Sequence, residues 1–522
     1  MTHEPARSPL TPPAERSRLT DLHRPSRLSW ASGPSGPSRP SRRHLLSATA
    51  VLGGAALTGV LAAGRASAGA GRAAAAPGPG PAVTRLGDTV LDPAAIYFVS
   101  FDGLVNNESF QLNGIVTHAG HQYTAWYTAD RTAILARRRL PAGAWQTLRL
   151  PHRLSADDSH NVISLGISPA DGRLHVAMDV HNTTIFYTKS IPGLVTRPAA
   201  HAWTAAAFGP IQRTLDGVGL GGISYPQFLL TPEGRLQFSF RTGGSGNGTN
   251  ELAEYAGGAW TRLGKWSAAT GVFTHNGVTS TTRNMYIHGL TYGRGGRLHA
   301  AFTWREGNLG VLCDPGGLSN HDTGYVYSDD RGRTWRDGAG TVVGTTGGAT
   351  LVSIDSPGHV VDPLDVDRAL MNQESQAVDA AGRPHVIISY VPAASLACVT
   401  SYAAQRTQFA RTFHLHLDAA GTWRKTEIQI APNATGRSRL VFDRWDNAYV
   451  VMPFGRIVAA SARSGWTDWS SLFDAAGLNC FGEVVVDYPR VAASGVLSVL
   501  YQEASTGTTP SPIHVIDFRL GG

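Results

Sequence analysis

The phrase Asp-Gly-Arg-Leu-His-Val at residues 171–176 decides the fold, because similar phrases recur along the chain. Each copy joins a tight turn to a short apolar strand, and glycine or asparagine supplies the positive φ that the turn needs. Seven copies occur, usually about fifty to sixty-five residues apart, and they begin at Gly120, Asp171, Glu233, Gly295, Ala381, Asp446 and Ser494. Repeats of this length, each with four short strands, predict an all-β fold, namely a seven-bladed β-propeller.

A second motif, Ser-Asp-Asp-Arg-Gly-Arg-Thr-Trp at residues 328–335, matches the Asp-box pattern Ser-x-Asp-x-Gly-x-Thr-Trp. Ser328 and Asp330 are placed to hydrogen-bond the backbone of a tight hairpin. We therefore interpret the box as a folding element between the third and fourth strands of its unit.

Residues 1–80 are predicted to precede the fold. Paired arginines at 42–43, an apolar Ala/Gly-rich run at 48–63 and Ala-Ser-Ala at 66–68 are typical of a twin-arginine export signal. The alternative, a transmembrane anchor, is disfavoured because the run is short. We expect a secreted protein with an export signal and disordered linker in residues 1–80 and a catalytic propeller in residues 81–522.

The positive charge of the chain belongs to this export segment. Residues 1–76 hold ten arginines, no lysine and three acids, a net +7, and the whole chain is also +7. The propeller is therefore close to neutral, and its charge favours neither a nucleic acid partner nor a membrane partner once the signal is removed.

Three cysteines, Cys313, Cys398 and Cys480, allow one disulfide and one free thiol, or no disulfide. Cys313 and His321 flank a Gly/Asp-rich loop, which makes them candidate ligands of a structural metal ion, zinc or calcium. The alternative is a buried thiol and a surface histidine.

Four side chains lie where predicted strands begin or end. His160 precedes the predicted strand 162–167, and His181 follows the strand 174–180. In the next unit Tyr225 opens a strand and Arg241 closes the one after it. Antiparallel neighbours place the start of one strand beside the end of the next, so the four side chains should gather on one face. A base, a phenol and a fixed cation together indicate proton-transfer chemistry on an anionic substrate.

The channel mouth on that face is the natural binding site of a propeller. The same placement predicts that further polar side chains collect there and bind the substrate: Asn161, Asn247, Arg283, Asn284, Arg305, Asn372 and Gln373. For Arg283 and Arg305 a structural role is an equal alternative, and Asn161 and Asn247 could instead hold loops.

Residues 107–390 resemble the BNR-repeat polysaccharide lyases, the group of ulvan lyases and rhamnosyl-glucuronate lyases. The matching stretches are Asp-Ser-His-Asn-Val-Ile-Ser-Leu-Gly at 158–166, Ser-Tyr-Pro-Gln-Phe at 224–228, Phe-Arg-Thr-Gly-Gly-Ser-Gly-Asn-Gly at 240–248, Thr-Arg-Asn at 282–284, Thr-Trp-Arg-Glu at 303–306 and Asn-Gln-Glu-Ser at 372–375. The resemblance implies a seven-bladed propeller, β-elimination, and an active group of two histidines, a tyrosine and an arginine. It also implies a structural metal near residues 319–321, where Ser319 stands in place of an expected cysteine.

The expected reaction removes the C5 proton of a uronate and expels the C4 oxygen. Arg241 is the candidate to neutralise the carboxylate, with help from His181. His160 is the candidate base and Tyr225 the candidate acid, although Tyr225 could do both. No cofactor is required, and the expected partner is an acidic polysaccharide or oligosaccharide bound by a monomer.

Two other functions compete with the lyase. A glycoside hydrolase, of the α-L-rhamnosidase or sialidase type, usually needs two carboxylates, and we expect no acid beside His160 or Tyr225. A sugar-binding propeller without activity would lack the His/Tyr/Arg group. The substrate, ulvan or a plant gum, and the choice between internal and terminal cleavage depend on loop shapes.

Overall fold

The computed structural model describes residues 78–110 and 112–521, so almost all of the predicted export segment lies outside the described residues. Within this part of the chain, seven antiparallel sheets are present. Among the described residues, no helix has the length and apolar character needed to cross a membrane.

The strands of the first four sheets lie between Ile115 and Asp362. The strand β1 precedes them in the chain but pairs with the last sheet. The strands are β1 Val83–Ala95; β2 Ile115–His118, β3 His121–Tyr127, β4 Thr132–Arg139 and β5 Gln146–Arg153; β6 Ile163–Ser168, β7 Arg173–Met178, β8 His181–Thr184 and β9 Phe186–Lys189; β10 Gly222–Leu230, β11 Leu236–Gly244, β12 Asn247–Ala256 and β13 Ala259–Lys265; β14 Thr270–His275, β15 Val278–Tyr292, β16 Leu298–Glu306, β17 Asn320–Ser328, β18 Thr334–Arg336, β19 Val342–Thr345 and β20 Val360–Asp362.

In the part of the chain that the structure describes, the last three sheets complete the fold together with two short helices and six 3-10 turns. The strands are β21 Ser375–Val378, β22 Pro384–Tyr390, β23 Arg411–Leu417 and β24 Trp423–Ile428; β25 Arg439–Phe442, β26 Ala448–Val451, β27 Ile457–Ala460 and β28 Ser470–Phe473; β29 Val485–Val486, β30 Val496–Gln502 and β31 Ser511–Leu520. The helices are α1 Tyr402–Phe409 and α2 Tyr488–Ser494, and the 3-10 turns are Pro198–Ala200, Ala205–Ala207, Leu309–Val311, Val366–Arg368, Pro453–Gly455 and Ala462–Ser464.

The repeated phrase has the same place in all seven sheets, since each copy turns the chain into the second strand. These second strands are β3, β7, β11, β16, β22, β26 and β30. A glycine has the expected positive φ in six of the turns, at Gly120, Gly172, Gly234, Gly296, Gly382 and Gly495, whereas in the sixth copy Asp446 and not Asn447 has it. The predicted all-β propeller fold is confirmed.

The prediction of seven four-stranded blades is wrong, because the structure has six complete blades. Six of the described sheets have at least four strands, but the sheet β6-β7-β9 has three. The segment where its fourth strand would lie makes two isolated bridges, Tyr187 with Gln212 and Ser190 with Phe208. Pro210 in this segment has no N–H to donate to a ladder, which opposes a regular strand there.

The two ends of the described chain close the ring of sheets. β1 pairs with β31 from Val83–Leu520 to Ala95–Ser511, so an N-terminal strand is the outer strand of the last sheet. The order β1-β31-β30-β29 therefore ties the beginning of the propeller to its end without a covalent link.

The Asp box lies where it was expected, between the third strand β17 and the fourth strand β18. Asp330 Oδ1 accepts hydrogen bonds from the backbone N–H of Thr334 at 2.7 Å and from the Ser328 hydroxyl at 2.7 Å. Trp335 is fully buried and stacks on Trp266 with ring centroids 4.2 Å apart. The box thus fixes a turn and anchors an outer strand.

Candidate active site

His181 reaches the site because the chain leaves one sheet and joins the next. β7 ends at Met178, earlier than the predicted strand end, and Asp179 and Asn182 have φ of 53° and 55°. The short strand β8 then pairs with β10, which places His181 opposite Ser224. Tyr225 is the next residue, so the pairing brings the imidazole of one unit beside the phenol of the following unit.

Tyr225 lies inside a strand and not at its start. The ladder between β10 and β11 is regular up to the pair Ser224–Arg241, skips, and resumes at Gln227–Ser239. At this bulge Tyr225 has a φ of 57°, a left-handed conformation that costs a side chain roughly 1–3 kcal/mol. β11 continues to Gly244, so the prediction that Arg241 closes its strand is also wrong.

The structure brings the four predicted side chains together. The imidazoles of His160 and His181 stack with centroids 4.1 Å apart and planes 15° apart. The Tyr225 ring lies 5.8 Å from His160 and 5.9 Å from His181. The Arg241 Cζ lies 4.7 Å above the Tyr225 ring centre. Phe110 and Phe101 pack against His160 and form the apolar side of the cluster.

Asp158 holds both histidines, which corrects the expectation that no acid lies beside His160. Its Oδ1 is 2.8 Å from His160 Nδ1 and its Oδ2 is 2.7 Å from His181 Nδ1. An ionised carboxylate only accepts hydrogen bonds, so both imidazoles must carry their proton on Nδ1. This leaves Nε2 as the unprotonated nitrogen of an uncharged ring, the atom that can act as a base.

The charges of this group follow from burial and hydrogen bonding. Burial raises the pKa of Asp158, but hydrogen bonds from His160 and His181 outweigh it and hold that pKa well below its usual range. Burial lowers the pKa of His160 to about 4, and the hydrogen bond to Asp158 offsets this only in part. At neutral pH the group is therefore a carboxylate with His160 uncharged.

A second phenol, Tyr286, was missed by the sequence analysis. Its ring lies 5.9 Å from that of Tyr225, and its hydroxyl is 3.3 Å from Arg241 Nη1 and 3.3 Å from Arg305 Nη1. Burial raises the pKa of Tyr286, but Arg305 and Arg241 outweigh it and lower the pKa to about 7. Burial and the neighbouring Tyr286 raise the pKa of Tyr225. The pair therefore gives up its first proton near neutral pH.

The lowered pKa of Tyr286 predicts that the Tyr225–Tyr286 pair holds a tyrosinate near neutral pH. In a titration followed by tyrosinate ultraviolet absorption, one phenol should ionise near pH 7, whereas ordinary tyrosines ionise near about pH 10. The pKa of Tyr286 is lower in the folded protein than in the unfolded chain. Ionisation of Tyr286 therefore adds fully to the free energy of unfolding above about pH 10, and this contribution is lost as the pH falls through 7. Tyr286→Phe should remove the early step, and Tyr292→Phe should keep it, since burial raises the pKa of Tyr292. An unchanged titration in Tyr286→Phe would contradict the assignment.

The cluster opens into a cleft of about 220 Å³. Its lining includes His160, Tyr225, Arg305, Asn372 and Arg437. Arg437 was not predicted, because it comes from a later unit than the stretch that carries the family resemblance. Its guanidinium is 2.8 Å from Glu483 and 3.0 Å from the Asn372 side-chain oxygen. Arg241, in contrast, lies behind the Tyr225 ring and is 2% exposed.

The other predicted substrate-binding residues divide into two groups. Arg305, Asn372 and the exposed Asn247 lie at the cleft or on a hairpin tip. Four others are buried and do not line the cleft: Asn161, Arg283, Asn284 and Gln373.

Two of these buried residues have clear structural partners. Arg283 is 0% exposed and makes a double ion pair with Glu306 at 2.8 and 3.0 Å, which favours its structural alternative. Asn284 accepts a hydrogen bond from the Gly246 N–H at 2.5 Å and so supports the glycine-rich hairpin.

The candidate metal ligands do not fit a metal ion. Cys313 forms a disulfide with Cys398, so it offers no thiolate, and Cys480 is the free, buried thiol. His321 lies between Glu306 and Asp322, at 3.1 and 3.0 Å. Both of its ring nitrogens already have carboxylate partners, so neither is free to bind a metal ion.

A family model matches this architecture over more than half of the chain. Residues 121–431 match the model described as BNR repeat-containing family member. The chain belongs to this family.

Curated relatives of the chain are ulvan lyases. The long isoform from Alteromonas sp. is 22% identical over 463 residues, which cover 79% of this chain and 43% of the relative. The short isoform from Alteromonas sp. (strain LOR) is 25% identical over 257 residues, which cover 40% of this chain and 46% of the relative. The chain thus spans less than half the length of the curated relatives it matches.

Solved structures share the fold at low identity. The polysaccharide lyase Uly1 matches with a TM-score of 0.62 and 17% identity, over 83% of this chain and 99% of that one. A PL25 ulvan lyase bound to -[GlcA(1-4)Rha3S]- matches with a TM-score of 0.54 and 12% identity, over 83% of this chain and 95% of that one.

Proposed function

We propose that this protein is a secreted polysaccharide lyase that cleaves a rhamnosyl-glucuronate or related uronate linkage by β-elimination. One observation carries the proposal: Asp158 holds two imidazoles, with His160 uncharged, beside the Tyr225 phenol at the wall of one cleft. The names of the relatives support the polysaccharide class, and the ligand of one similar solved structure supports the glucuronate–rhamnose linkage.

Proton removal falls to His160 in this proposal. Its Nε2 takes the proton from C5 of the uronate, and the electrons of the C5–H bond form the C4–C5 double bond as the C4–O bond breaks. Such a base must be uncharged at the working pH, and the pKa of His160, lowered to about 4, leaves the imidazole uncharged near neutral pH. His181 shares the same carboxylate and supports the orientation of this ring.

Tyr225 is the proposed acid. Its raised pKa keeps the hydroxyl protonated, so it can donate a proton to the departing C4 oxygen. Arg241 and Arg305 oppose the effects of burial and Tyr286 on this pKa, and the two guanidinium charges stabilise the phenolate formed at Tyr225 after donation. For a substrate of opposite C5 configuration, Tyr225 remains the alternative base.

The charge of the substrate carboxylate needs a cation within reach of the cleft. Arg241 was the expected partner, but its guanidinium already donates to Asn182 at 2.7 Å and to Ser224 at 3.0 Å. Arg305 lines the cleft, and its Nη2 makes no hydrogen bond to the described residues. We assign carboxylate binding to Arg305, and to Arg241 the electrostatic control of the two phenols.

The reaction type is tested by the product. Incubation with ulvan and with gum arabic should yield a C4–C5 unsaturated uronate, detected by its ultraviolet absorbance and by mass spectrometry. Saturated fragments would support the hydrolase alternative, and binding without fragments would support a lectin; either result overturns the lyase. Glu108 and Glu483 both contact Arg437, so they do not face each other across a substrate as hydrolysis requires.

Export and a monomeric state remain part of the proposal. The disulfide between Cys313 and Cys398 supports export, since such bonds persist in oxidising compartments.

A further inference from the structure

Three buried histidines meet on one face of the sheet β21-β22-β23-β24. His385 lies on β22 and His414 and His416 lie on β23, with His385 directly opposite His416 in the ladder. Their ring centroids are 5.1 to 5.3 Å apart, and His385 Nδ1 is 2.9 Å from His414 Nε2. One ligand atom from each ring lies within 4.8 Å of the other two.

Two other units of the propeller show how a histidine at the position equivalent to His385 is held by a protein partner. His175 on β7 and His299 on β16 follow the same turn phrase as His385. Each of them bonds a tyrosine hydroxyl on the third strand, Tyr187 or Tyr325, at 2.7 Å.

The residue equivalent to those tyrosines is His414 in this sheet. The ladder pairs Tyr187 with Ala177 and Tyr325 with Ala301, each two residues after the histidine, and it pairs His414 with Ile387 in the same way. A histidine cluster therefore stands in this sheet where the other two units have a hydrogen-bonded histidine–tyrosine pair.

The surroundings of the cluster are those of a closed site. Trp466 packs edge-on against His385 and His416, at 4.6 and 5.0 Å, and shields them from solvent. Asp379 Oδ2 lies 3.5 Å from His385 Nε2, so it can orient this ring and leave Nδ1 toward the other imidazoles. The Nδ1 atoms of His414 and His416 are buried and have no hydrogen-bond partner in the described part of the chain.

We propose that His385, His414 and His416 bind a zinc ion that ties β22 to β23. Imidazole nitrogens suit zinc among the available divalent ions, and three histidines leave one position for water. Ligands about 2.0–2.1 Å from a tetrahedral zinc ion are about 3.3 Å apart, so His385 Nδ1 and His414 Nε2 need to separate by only a few tenths of an ångström.

This site is distinct from the catalytic cluster. His385 is the second residue of its strand and follows directly after the turn, whereas His181 and Arg241 come after or late in their second strands. The metal therefore lies toward the opposite face of the propeller. Asp158, His160 and His181 form another potential donor set, but the Nδ1 atoms of both histidines are already bonded to the carboxylate.

The test uses the whole propeller protein, stripped with a chelator and then dialysed against zinc chloride. Bound zinc per chain is measured by mass spectrometry, and the unfolding midpoint is measured with and without zinc. The unsubstituted protein should bind one equivalent at this site and show a higher midpoint with zinc. His414→Tyr restores the arrangement of the other units and should lose that equivalent and the zinc-dependent rise while remaining folded.

Two further variants keep the result interpretable. His416→Gln should lose the same equivalent without placing a larger ring in the core. His299→Gln changes a comparably buried histidine outside the cluster and should keep it. The proposal is overturned if the unsubstituted protein binds no zinc, or if His414→Tyr and His416→Gln bind as much zinc as the unsubstituted protein.

Discussion

Tyr225→Phe is expected to lower the rate of unsaturated uronate formation by roughly 10²–10⁴-fold, the usual contribution of a positioned proton donor. The substitution removes only the hydroxyl, so the ring keeps its contacts with Arg241, Phe110 and Tyr286. The rate is followed by ultraviolet absorbance at saturating substrate, and unfolding by denaturant reports that the fold is kept.

Tyr123→Phe is the matched control for this variant. The Tyr123 hydroxyl is buried and has no hydrogen-bond partner among the described residues, so its removal tests the loss of a phenol outside the site. It should keep full activity. Full activity in Tyr225→Phe, or an equal loss in Tyr123→Phe, would remove the proposed acid.

Asp158→Asn should lower kcat by a similar factor, roughly 10²–10⁴-fold, with a smaller change in KM. The amide has the shape of the carboxylate but can donate to an imidazole, so His160 and His181 no longer need to carry their proton on Nδ1. The loss should persist across the pH range, because a wrong tautomer is not restored by titration. His160→Ala removes the base itself and should be at least as inactive.

Asp157→Asn is the control for the carboxylate. This neighbouring acid is 60% exposed and pairs with Arg131, away from both imidazoles. It should leave kcat unchanged. If Asp158→Asn retains the activity of the unsubstituted protein, the orienting role of the carboxylate is wrong.

The repeat phrase predicted the second strands of the sheets and the face on which His160, His181, Tyr225 and Arg241 meet. This worked because turn chemistry and strand alternation are local, and antiparallel pairing turns that local order into a shared face. The incomplete sheet was not predicted, although Pro210 in the segment between Ser190 and Gln212 was an available signal against a regular strand.

Details of the site depended on long-range packing. Asp158 stands two residues before His160 in the motif that carried the family resemblance, and an acid at that spacing was the available signal for it. Tyr286 and Arg437 come from other units, and only the closed ring brings them to Tyr225 and the cleft. The burial of Arg283 likewise follows from Glu306 on the adjacent strand, a pairing whose register was not visible in the sequence.

The most direct test is a crystal structure of the Tyr225→Phe variant with a glucuronate–rhamnose oligosaccharide. We predict a uronate in the cleft with C5–H directed at His160 Nε2, its C4 oxygen beside the ring of residue 225, and its carboxylate on Arg305. A uronate bound at the opposite face, or in this cleft with C5 out of reach of both His160 and residue 225, would contradict it.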